Sequence, residues 1–165
     1  MTDSPPEDLE AFAEKLQRVF LEEALRVYGK RVVDFWWEPR NMGPLEDADG
    51  RARVTGPCGD TMEFFLKFEG ERIERATFLT DGCGPTIASG GAATELARGK
   101  TPAEALGIDH GAVLEMLGGL PEESVHCARL AAMTLGAAVE DYLGRVSGQD
   151  PPTPQHPPTE PTLEA

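Results

Sequence analysis

The chain predicts an α+β fold: a three-stranded antiparallel sheet with helices packed on one face, followed by a disordered C-terminal tail. Three observations carry this expectation. Apolar residues recur at helical spacing near both ends, residues 52–80 alternate in the manner of strands, and glycine and proline punctuate the joints between them. At 165 residues the chain is long enough to bury one real core.

Residues 7 to about 37 read as helical, with Leu9, Phe12, Leu16, Val19 and Phe20 at helical spacing between charged residues. Gly29 divides this stretch in two. The second helix runs through Val32, Val33 and Phe35 to Trp36-Trp37, and Pro39 ends it. Asn41 to Gly50 is a loop.

Ala52 to Gly56 is a short strand, and Thr61 to Phe68, with Met62, Phe64, Leu66 and Phe68 alternating, is the clearest strand in the chain. Glu69-Gly70-Glu71 turns it back into Ile73 to Thr80. Simple alternation there places Ile73, Arg75, Thr77 and Leu79 on one face and Ala76 and Phe78 on the other. Gly84-Pro85 then starts a helix, proline being tolerated at a first position where its missing N–H costs nothing. That helix runs to about Arg98 and ends at Gly99. Short helices follow at Pro102 to Leu106 and His110 to Leu117. A last one, roughly Glu122 to Arg145, buries Leu130, Leu135, Ala138 and Tyr142. Residues 147–165 hold six prolines and almost nothing apolar, the composition of a disordered tail.

The balance of 29 acidic against 15 basic residues, net −14, repels phosphate backbones and anionic lipid, so neither nucleic acid nor a membrane is expected as a partner. Met1 to Glu10 carries four acids and two prolines, the opposite of a targeting peptide, and no apolar run reaches membrane-spanning length. Three cysteines, an odd number, suit free thiols in a reducing compartment. A cytoplasmic protein is expected.

The chemistry concentrates at those cysteines. Cys58 stands in Pro57-Cys58-Gly59-Asp60, where a soft thiol and a hard carboxylate share one corner; the competing reading is an ordinary β-turn. Cys83 stands in Gly82-Cys83-Gly84, directly before a helix whose N-terminus favours a thiolate. Cys127 follows His126 in the first turns of the last helix, where neighbours point in different directions, so one would ligate and the other assist. The interior Gly90 and Gly91 of the preceding helix each cost about 1 kcal/mol against alanine and so announce close packing. All three cysteines fall at ends of elements that a meander could gather on one rim. A Cys-His-Asp nucleophile is the enzymatic alternative, but no oxyanion device or substrate pocket accompanies it. His110 and His156 have no ligand partners near them in sequence.

Over Tyr28 to Tyr142 the chain resembles the IscU/NifU-type iron–sulfur cluster assembly scaffolds. The resemblance rests on Glu38-Pro39-Arg40-Asn41-Met42-Gly43, Pro57-Cys58-Gly59-Asp60, Gly82-Cys83-Gly84 with Ile87-Ala88-Ser89, Gly99-Lys100, and Leu120-Pro121 with His126-Cys127. The cysteine spacings of 25 and 44 residues agree as well. It implies a scaffold domain over residues 28–146, preceded by an N-terminal helical extension over 1–27. It further implies a non-enzymatic carrier of a transient [2Fe–2S] cluster, its sulfur supplied by a cysteine desulfurase and the finished cluster passed to apo iron–sulfur acceptor proteins. By position Cys58, Cys83 and Cys127 look like the thiolate ligands, Asp60 or His126 the fourth, and Cys127 the persulfide acceptor. Zn²⁺ fits the same donors, and a zinc-bound sulfur relay is the alternative. A homodimer around the cluster is left open. Where IscU proteins carry Leu-Pro-Pro-Val-Lys for an Hsp70-type chaperone, this chain has Leu120-Pro121-Glu122-Glu123-Ser124, which counts against that partnership.

Overall fold

The alternation of Met62, Phe64, Leu66 and Phe68 builds the middle of the sheet. In the computed structural model, which describes residues 7–148, these four side chains are buried on one face of the central strand. Strands β1 (Gly50–Thr55), β2 (Thr61–Glu69) and β3 (Arg72–Thr80) form an antiparallel meander in the order β1-β2-β3. The register pairs Thr55 with Thr61 and Met62 with Thr80, so the β1–β2 turn and the end of β3 lie at the same edge of the sheet.

Simple alternation misplaces Ile73. Lys67 pairs with Arg75 but Phe68 pairs with Ile73, so Glu74 is an extra residue in β3. This bulge moves Ile73 to the face of Ala76 and Phe78, where it is buried with them. The loop after Pro39 also does more than connect. Phe78 donates its N–H to the Asn41 carbonyl (3.0 Å) and accepts from Gly43 N–H (2.9 Å), so the loop covers the free edge of β3.

Helices α1 (Glu7–Tyr28) and α2 (Lys30–Trp37) break at Gly29, whose φ of 82° suits glycine. The apolar stripe of α1 stays exposed: Phe12 is 57% and Phe20 72% accessible. Val32 and Val33 of α2, by contrast, are buried. Helix α3 (Gly84–Ala97) is the central one. It is apolar or small on all sides because it is covered by the sheet, by α2 and by the last helix. Its glycines mark the closest approaches. A Cβ on Gly90 would lie 2.5 Å from the Phe78 ring, and one on Gly91 would lie 2.9 Å from the Phe35 ring.

Helix α4 (Pro102–Leu106) opens with a capping box between Thr101 and Glu104, and α5 (His110–Leu117) opens on Asp109, which accepts from Ala112 N–H. A single 3-10 turn, Glu122–Ser124, leads into α6 (Val125–Val146). The predicted helix start at Glu122 is therefore a tighter turn, with the α-helix beginning three residues later. Helix α6 crosses β1 at Gly50, where any side chain would meet the Ala138 carbonyl, and Tyr142 stacks on Phe68 at 3.6 Å. The tail expected over residues 147–165 lies, from 149 on, outside the described residues. Among the described residues no helix is long and apolar enough to cross a membrane.

Candidate metal centre

Three chain segments build the site. The β1–β2 turn closes with Gly59 N–H on the Gly56 carbonyl (3.0 Å) and Gly56 N–H on the Asp60 carbonyl (2.8 Å). Gly59 takes a φ of 89°, which glycine supplies without strain. The turn exposes Cys58 and half-buries Asp60. Gly56 backs onto Leu130, docking the turn against the start of α6.

At the end of β3, Thr80 Oγ1 donates to the Thr61 carbonyl (2.6 Å) and accepts from Gly82 N–H (3.1 Å), and Asp81 Oδ1 accepts from Thr61 N–H (2.7 Å). The chain thereby enters α3 with Cys83 as the capping residue. Its side chain makes no capping bond, and the thiol is exposed. The third segment is the first turn of α6, which carries His126, half-buried, and Cys127, 2% exposed.

These segments converge on one atom, the Thr86 hydroxyl. It donates to Asp60 Oδ2 at 2.8 Å and lies 3.3 Å from Cys127 Sγ and 3.7 Å from Cys83 Sγ. His126 Nε2 stands 3.6 Å from Cys127 Sγ. The His126 ring thus folds back toward its neighbour's sulfur, closer than helical geometry alone suggests. Cys58 sits on the exposed turn above. The structure thus brings Asp60, Cys83, Cys127 and His126 together, places Cys58 on the exposed turn two residues before Asp60, and leaves out His110, which is exposed at the start of α5. His156 lies outside the described residues.

Among the described residues, no three His, Cys, Asp or Glu side chains stand close enough together to enclose a single metal ion. Asp60, Cys83 and Cys127 meet at a hydroxyl instead. Their chemistry, thiolates with one carboxylate and one imidazole, is that of a soft-metal or iron–sulfur site held open.

Burial pushes the Cys127 thiol above the ordinary cysteine range; the Thr86 hydroxyl draws it partway back, and Cys83, Cys58 and Asp60 raise it further. In the metal-free chain, iodoacetamide should label Cys58 and Cys83 well before Cys127, as read by peptide mass mapping. Equal rates would show that burial does not govern this thiol. Since the folded value is raised, the stability tied to this thiol is whole below the ordinary thiol pKa of about 8.5 and is lost as pH rises through the folded value. Cys127→Ala should remove that alkaline loss from a series of denaturation curves.

Thr86 is the residue that sequence reasoning missed. It stands three positions after the capping residue Cys83, where a helical side chain reaches back to its own N-terminus. That spacing was the available signal.

The NifU-like N terminal domain family matches residues 27–149. The chain is 48% identical over 118 residues to the iron–sulfur cluster assembly scaffold protein IscU 1 of Archaeoglobus fulgidus, covering 71% of this chain and 77% of the relative. It is 42% identical over 125 residues to the iron–sulfur cluster assembly scaffold protein IscU of Aquifex aeolicus, covering 72% and 80%. The crystal structure of the N-terminal part of a nitrogen-fixing NifU-like protein from Brucella abortus superposes with a TM-score of 0.57 at 18% identity, over 73% of this chain and 97% of that one. At that identity it speaks for the fold alone.

Proposed function

Because the chain belongs to the family of NifU-like N-terminal domains, we propose that it is an iron–sulfur cluster assembly scaffold, which takes sulfur from a donor protein and passes the cluster to acceptor proteins. The observation that carries this is the convergence of Cys83, Cys127 and Asp60 on one buried hydroxyl, with Cys58 on the exposed rim beside them.

The cluster is cargo, and a [2Fe–2S] unit suits the site best. Such a cluster takes four protein ligands, and the chain offers three thiols with one carboxylate and one imidazole beside them in sequence. Cys58, Cys83 and Cys127 supply the thiolates, and Asp60 or His126 the fourth position. A carboxylate or imidazole in place of a fourth thiolate weakens the hold on one iron, which suits a protein that gives its cluster away.

The exposed sulfurs of Cys58 and Cys83 face solvent, where sulfur and iron can arrive and an acceptor can dock. Cys127, the proposed persulfide acceptor, lies beneath them and beside His126, whose ring can hold or supply a proton at the sulfur. A pyridoxal-phosphate cysteine desulfurase is the proposed sulfur donor. Glu122 and Glu123 are exposed on the 3-10 turn before the site. Glu122 stands where the chaperone-binding segment of the IscU proteins carries its second proline, and Ser124 where it carries its lysine, so the proposed partners stop at donor and acceptors.

The test is anaerobic reconstitution of the full chain with ferrous iron, cysteine and a cysteine desulfurase. Visible charge-transfer bands with iron and acid-labile sulfide in near-equal amounts are expected. A colourless protein holding stoichiometric zinc and no sulfide would replace the scaffold with a zinc-bound sulfur relay.

A further inference from the structure

The Thr86 hydroxyl belongs to none of the donor types that hold iron or zinc here, yet it occupies the centre of the site. The side chain is fully buried in the first turn of α3. Its one proton has three acceptors within reach: Asp60 Oδ2 at 2.8 Å, Cys127 Sγ at 3.3 Å and Cys83 Sγ at 3.7 Å. The carboxylate is both the nearest and the strongest acceptor, and a bond to an ionised oxygen is about twice as strong as a neutral one. The proton therefore goes to Asp60.

Gly82 supplies an independent observation. Its backbone does not require glycine, because its φ is not positive. What it lacks room for is a side chain: a Cβ there would lie 2.6 Å from Thr86 Cβ and 2.7 Å from Asp60 Oδ2. The chain leaves this space to the Asp60–Thr86 pair, which is clamped between the end of β3 and the first turn of α3.

Resting on the scaffold reading, we propose that Thr86 is a positioning residue for Asp60: it holds one carboxylate oxygen so that the other is presented to the incoming metal as a single-toothed ligand. A carboxylate that ligates a metal through one oxygen is oriented by a hydrogen bond to the other, and loss of such a bond costs about 10- to 100-fold in metal affinity. Without it the Asp60 side chain, on a turn tipped by exposed Cys58 and Gly59, loses its fixed rotamer.

The experiment is a Co²⁺ titration of the metal-free full chain, followed by its thiolate-to-cobalt absorption, on the wild type, Thr86→Val, Thr86→Ser, Asp60→Ala and the Asp60→Ala/Thr86→Val double variant. Valine keeps the shape and removes the hydroxyl; Thr86→Ala is the second variant should valine disturb folding. Thr86→Val is expected to weaken Co²⁺ binding at least about tenfold. Thr86→Ser should restore it, and Thr86→Val should add nothing once Asp60 is gone. Unchanged affinity in Thr86→Val, an equal loss in the Asp60→Ala background, or a wild type that does not bind Co²⁺ would each overturn the proposal. The outcomes separate from the scaffold reading, because the titration needs no cluster. A flat Co²⁺ cycle in a chain that still reconstitutes a cluster removes Thr86 alone. The expected cycle in a chain that never builds a cluster removes the scaffold reading alone.

Discussion

Chains carrying Cys58→Ser or Cys83→Ser are expected to keep their stability and lose their cluster. Both thiols are exposed, and substitutions at such positions change stability by no more than about 0.5 kcal/mol. Each is nonetheless one of only three thiols, and serine at neutral pH offers a protonated hydroxyl where iron needs an anionic sulfur. Reconstituted protein should show absorbance bands that fade at least tenfold faster under chelator challenge, a barrier change of about 1.4 kcal/mol or more. Cys127→Ser should lose the cluster too, but with a measurable stability change, because its side chain is buried at 2% exposure against Thr86. A hydroxyl there keeps a hydrogen-bond partner, which limits the cost to about 1–2 kcal/mol. If all three variants held cluster as the wild type does, the cysteines would be filler and the site would lie elsewhere. If Cys58→Ser or Cys83→Ser unfolded the chain, their role would be structural.

The second large effect concerns the core that carries the site. Phe78 is fully buried between Phe64, at 6.2 Å between ring centroids, and Gly90 of α3. Phe78→Ala is expected to cost about 3–5 kcal/mol in urea denaturation of the metal-free chain. Gly90→Ala places its new carbon 2.5 Å from that ring, and the ring, packed on all sides, has nowhere to go. Overpacking of this kind costs about 1–3 kcal/mol, against which the helix gains at most about 1 kcal/mol from losing a glycine. With Phe78→Ala already present the obstruction is gone, so Gly90→Ala should then be neutral or stabilising. The coupling between the two should be at least about 1 kcal/mol. Additive costs would mean that the ring and the glycine do not press on each other, and that α3 is set at its present depth by something else.

Much of the fold was legible locally. The bounds of α4 and α5 follow from Thr101 and Asp109, whose side chains satisfy the first free N–H groups of each helix. Gly29 marked the α1–α2 break, and the apolar period of two marked β2. What failed locally failed for identifiable reasons. Ile73 changed faces because one inserted residue reverses every side chain beyond it, and no alternation count registers the insertion. The stripe of α1 reads like that of any packed helix, because periodicity reports which face is apolar but not whether anything covers it. Gly90 and Gly91 announced a close approach without naming Phe78 and Phe35 as the groups that approach.

The donor chemistry is readable along the chain: three thiols, a carboxylate and an imidazole, each placed at the end of an element by its own glycines, proline or helix start. A meander of three strands also returns its first turn and its last strand end to the same edge, which brings Cys58 and Asp60 to the side of Cys83 but leaves the start of α6 unplaced. What stands between the donors follows from packing alone. Thr86 meets Asp60 from 26 positions away and Cys127 from 41. Contacts that distant are set by how the β1–β2 turn and helices α3 and α6 pack together, and packing is a property of volumes in space that no period, cap or motif along the chain encodes.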